Sequence, residues 1–291
     1  MADENVVNAD STPWAGGRAV VPIVEGLSRR EFFAGLLILS CVNGLSLRIT
    51  EVVNAVGWAY ALLNTFDISV IVWISCCAGV ALVLRDQSGR VNAVDLAVGA
   101  AFLLLVALPI SSLSWVATAA LCVYMLANTN GVSTRQGAVI LLATTVPMLW
   151  SRLLFNFFAN PILNADASLV SWILGTKRSS NMIEFVDHSG ELVIFAPCSS
   201  LANVSLAILC WVTVSELAVH KRSPYDIFWC FLACASVIAV NVTRMAMMGV
   251  SESLYDRVHS NFGNALTSLI ITVLTIAVCV VGTRRELFAR V

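Results

Sequence analysis

The sequence predicts an all-α fold: a polytopic membrane bundle of about eight transmembrane helices with a short extracytoplasmic β-hairpin-like segment. Three observations carry this. The 291 residues are 58% hydrophobic and only 12% charged, about half the charge of an ordinary soluble domain. Mean hydropathy is +0.85. Apolar stretches near the length of about 20 residues that crosses a bilayer recur along the chain.

The first 28 residues, beginning "MADENVVNADSTPW", are polar and acidic. They lack the basic start and apolar centre of a cleaved signal, and read as a mobile cytoplasmic arm. Residues 29–291 form the expected membrane domain. Its spans fall near 31–47, 66–84, 92–109, 113–128, 136–158, 199–219, 225–248 and 264–282. "ADASLVSWIL", 165–174, is too short to span and reads as an interfacial or re-entrant helix. "NMIEFVDHSGELVIFAP" alternates around Ser-Gly and predicts a hairpin leading into Cys198.

Orientation follows from the basic residues. Eight spans put both termini on one side. That side takes Arg18, Arg29, Arg30, Arg85, Arg90, Arg135, Lys221, Arg222, Arg284, Arg285 and Arg290; the other takes Arg48, Arg152, Lys177, Arg178, Arg244 and Arg257. Eleven against six places the termini in the cytoplasm and the 159–197 segment outside.

Net charge is -1, which argues against a nucleic-acid partner. The nine cysteines do not read as a disulfide framework. Cys41, Cys76, Cys77, Cys122, Cys210, Cys230, Cys234 and Cys279 lie inside apolar runs, as small buried hydrophobes. Three histidines with no matching C-x-x-C leave no metal-site spacing, and no cofactor is implied. His188 and His220 read as solvated.

Cys198 differs from the other cysteines: it stands where "CSSLANVSLAIL" enters a span. Arg244 lies nineteen residues into the seventh span, roughly 28 Å at 1.5 Å per residue, so it reaches the same outer level. His259 falls in the loop just before the last span. A cysteine at that level is a candidate nucleophile, favoured by a nearby cation and by the positive end of its helix. Arginine offers directional donors to an oxyanion. Histidine takes the thiol proton and returns it to a leaving amine. Each residue also has a plain structural reading: a buried thiol, a snorkelling arginine, a solvated histidine. Ser199 and Ser200 lack the glycine framing of a serine nucleophile. Asn203 and Asn241 lie near the site as possible donors to a substrate, with Ser199 beside them; Asn241 and Arg244 share one helical face.

"APCSSLANVSLAIL", "NVTRMAMMG" and "HSNFG" together resemble the exosortase/archaeosortase family, over about residues 190–270. That family is described by a Cys in a C-S/T-G-like element, an Arg in N-x-x-R and a His followed closely by Gly. Cys198, Arg244 and His259 fall on those positions in the same order. Ser200 stands where the family usually has glycine. The resemblance implies a membrane cysteine transpeptidase or protease of a prokaryotic cytoplasmic membrane, its site facing outward into the cell envelope. It implies a tail-anchored protein substrate with a C-terminal sorting signal, held among membrane lipids. Its chemistry would be a thioester on Cys198, passed to an acceptor. The alternative is a non-enzymatic transporter or an assembly scaffold for exported polymers, since Arg244 would serve a transporter equally. The spans hold few acidic residues for ion coupling.

Overall fold

The computed structural model describes residues 28–86, 89–220 and 222–288. The expected N-terminal arm, Ser28 apart, lies outside them, as do Arg18, Lys221 and Arg290.

The chain is a helical bundle carrying one small antiparallel sheet. The helices are α1 (Arg29–Val56), α2 (Trp58–Leu63), α3 (Val70–Arg85), α4 (Ala93–Val106), α5 (Ser111–Asn128), α6 (Val132–Thr145), α7 (Ser151–Leu174), α8 (Ser200–Leu217), α9 (Tyr225–Met248), α10 (Glu252–His259) and α11 (Asn261–Phe288). Among the described residues six candidate spans are long and apolar enough to cross a membrane; α3 and α4 are apolar but shorter. These eight correspond to the eight expected apolar segments.

Local chemistry sets several helix starts. Ser28 caps α1 in a reciprocal box with Glu31, and Asn92 does the same for α4 with Asp95. Ser199 caps α8 and Ser251 caps α10 through their hydroxyls.

One expectation needs correcting. Residues 165–174 are not a separate interfacial helix. They are the last turns of α7, which continues from α6 through a π-helical turn at Val146–Trp150. Pro147 opens that turn, and the backbone leaves helical geometry at Phe158 (φ −124°, ψ 28°), three residues before Pro161. Proline has no N–H to donate, so it bends the helix here without ending it. The candidate span Val132–Leu174 runs 43 residues, roughly 65 Å of helix. That is more than a bilayer needs, and the end of α7 packs against the sheet.

Helices α3 and α6 pack closely together. A Cβ on Gly137 would sit 2.5 Å from the carbonyl oxygen of Gly79, and one on Gly79 would sit 2.6 Å from Leu141 Cγ. Small residues let two backbones approach, the usual device where lipid removes the hydrophobic drive between helices.

Polar contacts define the two ends. At one end Arg29 grips Asp95 through two 3.0 Å bonds and also donates to the Asn128 carbonyl. Thr134 donates to Asp86, and Gln136 donates to the Glu216 carbonyl. The starts of α1, α4 and α6 therefore meet the ends of α3, α5 and α8. His220 also lies at this end. It is not solvated as expected: its Nε2 lies 2.8 Å from Asp226 Oδ1, and its ring meets Trp211 edge-on. Burial is explained by that carboxylate and that indole.

At the opposite end are the start of α8, the end of α9, α10 and the sheet. The expected hairpin is there: β2 (Met182–Glu184) pairs antiparallel with β3 (Glu191–Val193). A further strand, β1 (Arg178–Ser179), joins β2, giving the order β1-β2-β3. A second apolar cluster underlies the sheet, formed by Val170, Ile183, Leu192, Ile194, Met245 and Met248 with Cys198 among them.

Candidate active site

Phe195 to Ser200 turn the chain from β3 into α8. Ala196–Cys198 make one 3-10 turn, with Pro197 fixing its φ. The Cys198 N–H donates to Phe195 O and the Ser199 N–H to Ala196 O. Ser200 N–H donates to Asp166 Oδ2 at 3.0 Å, and Leu201 N–H to Ser199 Oγ at 3.2 Å. Cys198 thus precedes the cap of α8 and does not lie in its first turn. Asp166, 5% exposed, occupies the positive helix end. The helix end therefore offers an anion on Cys198 less than the sequence suggested.

Asn241 reaches across from α9. Its Nδ2 donates to Cys198 O at 2.8 Å and to Ser200 Oγ at 3.1 Å. Both amide hydrogens are committed, so Asn241 positions the turn and has none left for a substrate oxygen. The Ser200 bond ties α8 to α9 through its hydroxyl.

Cys198 is 9% exposed, and its exposure opens onto a cavity of about 390 Å³. The walls are β3 and its continuation (Leu192 to Phe195), Pro197, Met245 and Met248 of α9, and Tyr255 and His259 of α10. Cys198 and His259 therefore face one space. His259 ends a helix; it does not sit in a loop as expected. Its ring stacks on Tyr255, centroids 5.1 Å apart and planes 9° from parallel.

Arg244 does not line the cavity. Its Nη2 donates to Asn264 Oδ1, and Asn264 Nδ2 donates to His259 O at 3.0 Å. The arginine is thus tied to the histidine's backbone through one amide. Arg244 Nε is buried with no hydrogen-bond partner among the described residues, so part of the fork remains uncommitted.

Ser199 is a cap, its hydroxyl engaged by Leu201. Asn203 is not on the cavity wall, and its side chain has no hydrogen bond among the described residues. Three contributors escaped sequence reasoning: Asp166, Asn264 and Tyr255. Asp166 carried a signal, as a carboxylate within an apolar stretch. Asn264 follows His259 by five residues, a spacing with no meaning until the α10–α11 corner is seen.

Elsewhere, His188 lies 2.6 Å from Glu184 on the exposed hairpin. Ser189 donates twice to Asp187 and holds its carboxyl below the usual carboxylate range. All nine cysteines are free. Five of the eight in apolar runs are buried as expected, Cys230 and Cys234 are half-buried, and Cys77 is exposed on the bundle's outer surface. Among the described residues no three of His, Cys, Asp or Glu cluster as a metal site requires.

Comparison with protein-family models, with curated proteins and with solved structures finds no match.

Proposed function

We propose that the chain is an exosortase-like membrane cysteine transpeptidase or protease, with Cys198 as nucleophile, His259 as proton carrier and Arg244 as oxyanion donor. The observation that carries this reading is the shared cavity. Two residues far apart in sequence, a thiol and an imidazole, open onto one space at one end of a membrane bundle. Arg244, whose Nε has no partner among the described residues, is tied to the His259 backbone through Asn264.

In this reading the Cys198 sulfur attacks the carbonyl carbon of a substrate peptide bond, and its proton passes to His259. The tetrahedral oxyanion takes a hydrogen bond from Arg244. Collapse breaks the C–N bond; the proton moves from His259 to the departing amine, leaving a thioester. An acceptor amine, or water, then attacks the thioester and frees the thiol. A substrate anchored by its own membrane helix presents its flanking segment at one depth, so a nucleophile at the bundle's end gains from proximity. Site and sheet face the extracytoplasmic side by the distribution of basic residues.

The buried Arg29–Asp95 pair is the sort of intramembrane charge a transporter uses. Here Asp95 is fully satisfied: it accepts from Arg29 twice, from Tyr124 and from the Asn92 N–H. The cavity lined by Arg29, Phe33 and Met125 holds about 10 Å³, little room for a solute.

The test is co-expression with a tail-anchored candidate substrate, followed by its size on a gel. Cys198→Ala should abolish processing while the protein stays in the membrane, and Cys198→Ser should nearly do so. Full processing by Cys198→Ala would return the chain to the transporter or scaffold class.

A further inference from the structure

We infer that the free edge of β3 is the substrate-binding strand: the peptide to be cut docks in extended form and pairs with the backbone of Val193. The inference rests on the transpeptidase reading and adds how the substrate is held.

The argument starts from register. β3 opposes β2 with Met182 facing Val193 and Ile183 facing Leu192. Ile194 N–H donates to Asn181 O, and Phe185 N–H donates to Gly190 O. Antiparallel partners alternate between bonded and non-bonded pairs. Residues 190, 192 and 194 thus turn their backbone groups toward β2. Glu191, Val193 and Phe195 turn theirs away.

On that outward side β3 has no neighbour, being the last strand of the sheet. Among the described residues, no group bonds Val193 N–H or Val193 O, while Phe195 O is engaged by Cys198 N–H. Backbone groups left open on a strand edge are a template for another strand. This edge belongs to the cavity: Val193 and Phe195 line it together with Cys198 and His259. Its remaining wall, Leu192, Ile194, Met245 and Met248, is apolar and suits side chains of an extended peptide, not a highly charged ligand. Backbone pairing supplies affinity without regard to sequence, and the wall supplies selection.

Direction follows from topology. β3 runs toward Cys198 and the start of α8. A substrate entering the bilayer after its cleaved bond runs the same way, so the pairing is parallel. In that arrangement Val193 N–H donates to one substrate carbonyl, and Val193 O accepts from the N–H two residues further on.

The test uses the full-length protein in lipid nanodiscs and three electrophiles. These are iodoacetamide, the chloromethyl ketone of acetyl-Ala-Val-Ala-Val, and the same peptide N-methylated at its middle amides. In each reaction a carbon–sulfur bond forms at Cys198, halide leaves and the thiol proton is released; peptide mapping by mass reads the rate at Cys198. Val193→Pro removes only an outward N–H, a change tolerated on sheet edges. Val193→Ala retains that N–H and controls for the side chain. The peptide should label the unaltered protein about tenfold faster than its N-methylated form, the worth of about one hydrogen bond. Val193→Pro should slow both peptides by about the same factor and keep the difference between them, because it removes the bond to the substrate carbonyl that both make; Val193→Ala should slow neither, and iodoacetamide should label every form alike. Equal rates for the two peptides on the unaltered protein would overturn strand docking and leave the cysteine reading standing. If neither iodoacetamide nor peptide labels Cys198, the transpeptidase reading fails and this inference with it.

Discussion

Asn241 donates its side-chain amide to the carbonyl oxygen of Cys198, 2.8 Å away. One turn further along α9, Arg244 points toward the corner that carries His259. The helix therefore holds the backbone of Cys198, the proposed nucleophile, and presents Arg244 from the same face. Asn241→Ala leaves the Cys198 carbonyl and the Ser200 hydroxyl without their buried donor. That loss costs about 1–3 kcal/mol, and thermal unfolding in detergent should shift down accordingly. Processing should fall further than stability alone explains, because the turn bearing Cys198 is released. An unchanged processing rate with the lowered midpoint would make Asn241 a purely structural residue.

Gly263 has an equally concrete role at the α10–α11 corner. A Cβ there would sit 2.3 Å from Val258 O and 3.0 Å from Arg257 O. Both are backbone atoms and cannot rotate away. Gly263→Ala must push α11 off α10, and Asn264, the link between Arg244 and His259, moves with it. A misplacement of about 1 Å can cost about a hundredfold in rate. Substrate processing should drop by that order, while iodoacetamide still reaches Cys198. Normal processing by Gly263→Ala would show that the corner has slack.

The bundle was legible in the sequence because hydropathy and span length are local properties. The hairpin was legible for the same reason, in the alternation around Ser189 and Gly190. Residues 165–174 misled because length alone was weighed: α7 runs on through Pro161, which it absorbs with a bend at Phe158. Cys198, Arg244 and His259 were singled out from their depth along the spans. The contacts that hold them were not visible. Asn264 to Arg244 and Asp166 to Ser200 join residues 20 and 34 positions apart, and no periodicity encodes such pairs. His220 was misread because burial depends on Trp211 and Asp226, which only the folded chain brings to it.

Arg29 and Asp95 separate stability from chemistry. The aspartate is fully buried and the arginine side chain 17% exposed, at the bundle end away from Cys198. Asp95→Asn strands the guanidinium beside a neutral amide; breaking a buried pair from one side costs about 3–5 kcal/mol. The unfolding midpoint should fall clearly. The joint change Arg29→Met with Asp95→Leu should recover much of it, since neither charge is then left alone. Alkylation of Cys198 at low temperature should match the unaltered protein in both variants. A selective loss of Cys198 reactivity would reveal coupling between the two ends.

The arginine makes the sharpest prediction. An oxyanion beside Cys198 needs a donor, and the nearest backbone donors are spent. The N–H groups of Cys198, Ser199, Ser200 and Leu201 bond Phe195 O, Ala196 O, Asp166 and Ser199 Oγ in turn. Asn241 has committed both amide hydrogens. Arg244 keeps a buried Nε without a partner among the described residues, and its bond to Asn264 uses one edge of a planar fork. Arg244→Lys keeps the charge but loses the fork and its second edge. It should therefore lose activity nearly as fully as Arg244→Ala, by about two to three orders of magnitude. Iodoacetamide, which forms no oxyanion, should label Cys198 in Arg244→Lys at close to the unaltered rate. Near-normal processing by the lysine variant would show that a point charge suffices and that the directional role assigned to the guanidinium is wrong.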